Sequence, residues 1–218
     1  MLTDLQLQQN IIAELRWEPS VKAAEIGVAV KNGVVTLTGN VETYAQKFAA
    51  ERAVERVAGV QAIADELTVT IPGLYRRTDA DVAHAAANAL AWNVEVPDGV
   101  QVIVRQGWVT LEGKVRWYFE KAAAERTVRY LAGVTGVTNL IDVRQPTTVK
   151  AADVKADIEA ALARNVELDA KRITVSADEA TVTLTGTVRS WAERDDATRA
   201  AWNAPGVRFV KDELVVKA

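Results

Sequence analysis

The sequence predicts an α+β protein of three tandem αββαβ units, each a mixed three-stranded sheet with two helices on one face. Three observations carry this. The segments VAVKNGVVTLTGNV (28–41), VIVRQGWVTLEGKV (102–115) and VSADEATVTLTGTV (175–188) share one apolar alternation, and the glycines closing them, Gly39, Gly113 and Gly186, lie 74 and 73 residues apart. A second set, Gly59-Val60, Gly133-Val134 and Gly206-Val207, keeps the same register. Ahead of each segment stands an apolar triplet at i, i+4, i+8: Leu7/Ile11/Leu15, Val82/Ala86/Leu90 and Val154/Ile158/Leu162. The period is longer than that of a solenoid repeat, so each unit is a small domain. The predicted domains are 1–72, 77–146 and 149–218. A domain of that size buries a modest core, so packing between the repeats should help hold it.

The elements follow in order. The triplets line one face of a first helix, and Thr3 and Thr78 are candidate N-caps for the first two. Ile26/Val28/Val30, Val100/Val102/Val104 and Ile173/Val175/Ala177 alternate as a first strand, and Val35/Leu37, Val109/Leu111 and Val182/Leu184 as a second. Between them lie Asn32-Gly33, a strong hairpin signal, then Gln106-Gly107, then Asp178-Glu179-Ala180. The third turn has no glycine and should be built differently. A second helix is expected over roughly 43–58, 117–132 and 190–204. Its buried faces are Ala50/Val54/Val57, Ala124/Val128/Leu131 and Ala197/Ala201/Ala204. Gly59, Gly133 and Gly206 sit where a helix C-cap calls for positive φ. A last strand runs around Leu67/Val69, Ile141/Val143 and Leu214/Val216, parallel to the second strand through a helical crossover. The joins, 71–78 and 144–149, are short and each holds a proline, so the units should touch.

Composition narrows the chemistry. With no Cys and a single His, thiolate and multi-His metal sites are excluded, as are Cys nucleophiles. The formal charge is −3, and nothing global points to nucleic acid. No stretch has the length of a membrane span. The N-terminal MLTDLQLQQN lacks a basic stretch followed by an apolar run, so no signal peptide is visible. The expected compartment is cytoplasmic, or periplasmic if a signal has been removed.

The repeat resembles the BON domain, a bacterial domain named for an osmotically induced periplasmic protein and nodulation proteins. The residues that carry the resemblance are the helical Leu15, Leu90 and Leu162, the glycine-closed hairpins, and the stretches Gly59-Val60…Ile63, Gly133-Val134…Val137 and Gly206-Val207…Val210. The resemblance covers nearly the whole chain three times. It implies an αββαβ fold and a non-enzymatic, transport-associated role linked to phospholipid or membrane association and to osmotic or envelope stress. It supplies no catalytic residue and no cofactor.

The candidate sites divide the same way. His84 beside Val82 and Ala86 reads as a surface histidine rather than a base. Asp195-Asp196 and Asp178-Glu179 do not recur between units and read as solvated charge. Gly133-Val-Thr-Gly136 looks like a nucleic-acid G-x-x-G loop, but units one and three lack it. No catalytic residue, metal or cofactor is expected, and neither nucleic acid nor a small-molecule substrate. Trp17 and Trp92 at the ends of the first helices, and Tyr44, Tyr118 and Trp191 at the starts of the second, recur at matched positions and read as core or rim packing. Trp108 alternates with the inward Val109 and Leu111 and should face the other side of the sheet, where the siblings have Val34 and Thr181. Unit two carries 9 basic and 8 acidic groups, against 6 and 9 in unit one and 11 and 12 in unit three. Arg105, Trp108, Lys114, Arg116, Trp117, Phe119 and Lys121 therefore form the candidate contact face for anionic phospholipid or a membrane-associated protein. The same residues are also compatible with an ordinary solvated face. The alternative function is a chaperone-like or scaffold protein binding other proteins through exposed sheet faces.

Overall fold

The computed structural model describes residues 2–145, 150–164 and 170–217. The second join, which the sequence places at 144–149, lies largely outside the described residues. Unit one runs α1 (Asp4–Trp17), β1 (Ile26–Lys31), β2 (Val34–Val41), α2 (Tyr44–Arg56) and β3 (Ala62–Val69). Unit two runs α3 (Asp79–Trp92), β4 (Gln101–Arg105), β5 (Trp108–Glu112), β6 (Lys114–Val115), α4 (Tyr118–Arg129), β7 (Gly136–Asn139) and β8 (Asp142–Val143). Unit three runs α5 (Ala151–Arg164), β9 (Ile173–Asp178), β10 (Thr181–Val188), α6 (Trp191–Trp202) and β11 (Phe209–Val216).

In units one and three the middle strand pairs antiparallel with the first and parallel with the last, from Lys31↔Val34 to Ile26↔Gly39 and from Val34↔Ala62 to Val41↔Val69 in unit one. Unit three repeats both ladders. In unit two regular strand is interrupted at Gly113, between β5 and β6 and between β7 and β8, yet the parallel bonding runs through the gap: the Leu140 N–H donates to the Leu111 carbonyl at 2.8 Å and the Asp142 N–H to the Gly113 carbonyl at 2.9 Å. The sheet is still three-stranded, and what differs is its first ladder, at the closing glycine. A Cβ on Gly39 or Gly186 would stand 2.1 or 2.0 Å from the Glu25 or Arg172 carbonyl oxygen, whereas at Gly113 the nearest atom, the Gly99 oxygen, is 2.7 Å away. The first strand of unit two thus approaches less closely and ends its ladder one pair early, at Gln101↔Glu112.

Local chemistry explains the helix starts. Thr3 and Thr78 each form a reciprocal capping box, with Gln6 and Asp81. In the first turns, Asp4 accepts from the Asn32 and Gly33 N–H groups at 2.7 and 3.1 Å, and Asp79 from Gln106 and Gly107 at 2.8 and 2.9 Å. These carboxylates hold two-residue turns whose residues both have positive φ. Unit three has Ala151 at the matched position, and its turn has positive φ only at Glu179. The third turn is built differently, though its register is the same.

The second helices stop earlier than the spacing predicts, at Arg56, Arg129 and Trp202. Val57, Leu131 and Ala204 lie beyond them and bond back three residues, to the carbonyls of Val54, Val128 and Ala201 at 3.0, 3.2 and 3.2 Å. This tightened exit satisfies carbonyls the helix leaves open. Gly59, Gly133 and Gly206 do have positive φ, but they occupy the turn past the helix rather than its cap. The three predicted triplets are all buried and meet Val35/Leu37, Val109/Leu111 and Val182/Leu184 in three separate cores.

Candidate functional site

The second helices bring the units together. Tyr44, Tyr118 and Trp191 open α2, α4 and α6, and each reaches a neighbouring unit, Tyr118 and Trp191 while also packing on their own cores. Tyr44 packs against the core of unit two. Tyr118 stacks on Trp202 of unit three, with centroids 5.3 Å apart and planes 13° from parallel. Trp191 packs against the core of unit one, and its Nε1 donates to the Val60 carbonyl at 3.1 Å. One matched position thus links one to two, two to three and three to one, so each unit touches the other two. The predicted packing of these three aromatics holds, but across units.

The far ends of the same helices complete the junctions with three different chemistries. The matched residues there are Glu55, Arg129 and Trp202. The Arg129 guanidinium lies 3.3 Å from the Phe48 ring centroid. Trp202 meets Tyr118. Glu55 pairs with Arg52 at 2.7 Å, and Arg52 also pairs with Asp195 of unit three. Burial pushes the Glu55 carboxyl up to about 7, against the pull of Arg52 and with added repulsion from Asp195 and Glu51. Burial likewise raises Glu51.

Trp17 and Trp92 are not packed, contrary to the expectation from their recurrence. They are 82% and 88% exposed, at the C-terminal ends of α1 and α3. Their matched spacing signals repetition, but only the helix phase decides burial. Leu15 and Leu90 continue the buried row two residues earlier, and a step of two residues turns the side chain away from it. His84 is exposed on α3. From Val82 to Val94 the chain has no Asp, Glu, Lys or Arg, and Val94 is fully exposed beyond Trp92.

The unit-two residues named from sequence do not form one face. Arg105 and Trp108 are direct cross-strand partners on the uncovered side of the sheet. Trp108 is 49% exposed, with its ring across Gly136 and its Nε1 donating to Thr138 Oγ1 at 2.8 Å. Lys114 and Arg116 are exposed on and just past β6. Trp117 is half-buried at the N-cap of α4, where Thr43 and Ser190 stand in the siblings. It offers no capping oxygen, so Glu120 takes both the Arg116 and Trp117 N–H groups, at 2.7 and 2.9 Å. Phe119 is exposed on the helix layer. Lys121 is turned inward: its Nζ donates to the Ile141 carbonyl at 2.8 Å, and burial lowers its pKa. Lys47 makes the same tie to Leu67. This helix-to-strand tie takes Lys121 out of the surface set.

Among the described residues no group of three or more His, Asp or Glu is placed to hold a metal ion, and no helix is long and apolar enough to cross a membrane. Three like domains closed on one another, with tryptophans presented outward, define a tandem-domain repeat protein. The BON domain model matches residues 3–71, 78–145 and 150–218, and the chain belongs to the BON-domain family. Osmotically-inducible protein Y of Escherichia coli (strain K12) is 31% identical over 134 residues, which covers 57% of this chain and 65% of that relative, a little under two thirds of its length. Among solved structures, CdsD, a structural protein of the type III secretion system of Chlamydia trachomatis, aligns over 96% of this chain and 91% of that one at 16% identity and a TM-score of 0.28. The C-terminal domain of CdsD aligns over the full length of both chains at 16% identity and a TM-score of 0.29. A likeness at that level carries no conclusion about function.

Proposed function

We propose that this protein is a non-enzymatic, membrane-surface-binding member of its family, acting in the response to osmotic or envelope stress. The stress link is supported by the similarity to osmotically-inducible protein Y. The observation that carries surface binding is the outward side of α3 beyond its first turn: from Val82 on it has no Asp, Glu, Lys or Arg, and it ends in a tryptophan that is 88% exposed. A tryptophan with an apolar ring and a polar N–H suits the headgroup level of a bilayer, and an uncharged helix face beside it costs little to bring there. Cations for anionic headgroups lie elsewhere on the unit: Arg105 on the open sheet side, opposite α3, and the exposed Lys114 and Arg116 at β6.

Co-sedimentation with anionic and with zwitterionic vesicles, at low and high salt, tests this. Wild type should prefer anionic vesicles and bind less as salt rises. Trp92→Ala should weaken binding about tenfold, from lost burial of part of one ring. Trp108→Thr tests whether the unit-two sheet face contributes as well. If wild type sediments with neither vesicle, surface binding is wrong. A second reading, binding of other proteins through open sheet faces, is favoured by the exposed Ile103, Trp108 and Phe209 on uncovered strands. It requires binding that persists without vesicles.

A further inference from the structure

The three junctions between units are alike in plan, yet one is left unfinished. In units one and three the glycine of the turn after the second helix donates its N–H to the preceding unit in the cycle. The Gly59 N–H donates to the Arg189 carbonyl of unit three at 3.3 Å. The Gly206 N–H donates to the Gln145 side chain of unit two, whose amide nitrogen also reaches the Ala204 carbonyl at 3.4 Å. The Gly133 N–H of unit two has no hydrogen-bond partner among the described residues, although Gly133 is buried. The matched position to Gln145 in unit one is Ile71, which offers no acceptor. A buried N–H without a partner is rare and calls for one.

At this place lies a cavity of about 240 Å³, between the first turn of α2, the join, and the exit of α4. Tyr44, Ile71, Tyr75, Arg129, Leu131 and Gly133 line it. A second donor is idle there: Arg129 Nε is buried and unpartnered, while the other side of the guanidinium holds Glu125 at 2.6 Å. The acidic group on the rim, Glu42, is engaged by Lys22 at 2.7 Å. Two residues that line the cavity therefore carry unfilled donors, one of them a cation, among aromatic and aliphatic neighbours.

We infer that the junction of units one and two is a binding site for a small carboxylate with an apolar body, its oxygens accepting from the Gly133 N–H and Arg129 Nε, its body lying against Ile71, Leu131, Tyr44 and Tyr75. The ionised acceptor suits these donors better than a neutral one, because charge-assisted hydrogen bonds are the stronger kind. Size sets the class further. An apolar cavity of ~150 Å³ holds benzene, so this one has room for about ten non-hydrogen atoms. That fits a medium-chain fatty acid or a simple aryl acid. The site is independent of surface binding and sits at a junction rather than on α3.

Octanoate is the probe, titrated calorimetrically into the full chain without vesicles, with 1-octanol and octylamine as controls. Octanoate should bind saturably at one site, at least tenfold tighter than octanol, and octylamine should not bind. Ile71→Gln copies the residue that completes the sibling junction, so it should supply the missing acceptor and abolish octanoate binding while keeping the wild-type circular dichroism. Ala132→Phe, at an exposed rim position, fills the same space without touching either core and should also abolish binding. Equal affinity for octanol would overturn the carboxylate assignment. Undiminished octanoate binding in a folded Ala132→Phe variant would place the site elsewhere. No octanoate binding by wild type would sink the inference outright.

Discussion

Glu55 sets a pH dependence that can be worked out from its surroundings. Its side chain is only 15% exposed, at the contact between units one and three, with Arg52 on one side and Asp195 and Glu51 nearby. Burial pushes its pKa from 4.5 up to about 7. The folded state then holds the Glu55 proton more tightly than the unfolded chain does. Between about 4.5 and 7 it binds more protons, so the free energy of unfolding falls as pH rises through that window. The contribution is fully present below the lower limit and gone above the upper one. At ~1.4 kcal/mol per unit the ceiling is roughly 3 kcal/mol. The Glu55 side chain is itself 15% exposed, and water reaching it relieves part of the desolvation that drives the shift, which brings the expected effect to about 1–2 kcal/mol. Glu55→Gln keeps the shape and an acceptor for Arg52 but cannot ionise. Urea unfolding followed by circular dichroism at pH 5 and pH 8 measures both proteins. Between these pH values wild type should lose about 1–2 kcal/mol more than the variant, and the variant should be the more stable at pH 8. Glu51 titrates with the same sign and is present in both proteins, so its own burial cancels and only its repulsion of Glu55 stays in the difference. Equal pH dependence, or a variant clearly weaker at pH 8, would refute the reasoning.

Two further outcomes follow from the packing. Gly39→Ala places a Cβ 2.1 Å from the Glu25 carbonyl oxygen at φ +127°, which should cost about 3 kcal/mol or more in urea unfolding. Gly113→Ala meets its nearest backbone atom at 2.7 Å and should cost less; the reverse order would contradict the close-approach argument. Trp191→Ala removes a half-buried ring shared by two cores and the bond to Val60. It should cost about 2–3 kcal/mol, below the loss for a fully buried ring, and a loss near zero would mean that the contact between units three and one is not held there.

The amino-acid sequence by itself determined the unit, and the reason is periodicity. Leu7, Ile11 and Leu15 are buried because a four-residue step returns to one helix face, and Val35 and Leu37 because a two-residue step returns to one sheet face. Such rules are local, so three copies of them read the same way. Asn32-Gly33 and Thr3 were legible for a like reason: each acts on backbone within a few residues. What lies between units was decided only by the tertiary structure. Tyr44, Tyr118 and Trp191 share one sequence position with one kind of side chain, yet each also has partners in another unit, at no fixed separation along the chain. Trp17 and Trp92 recur as regularly and point into solvent. Lys121 reads as surface charge until its tie to Ile141 is seen. The unfilled donor at Gly133 is the extreme case. Its sequence surroundings match those of Gly59 and Gly206, and the difference arises from Ile71, which stands where the next unit has Gln145. A backbone N–H takes its partner from whatever the fold brings to it, and no local pattern encodes that.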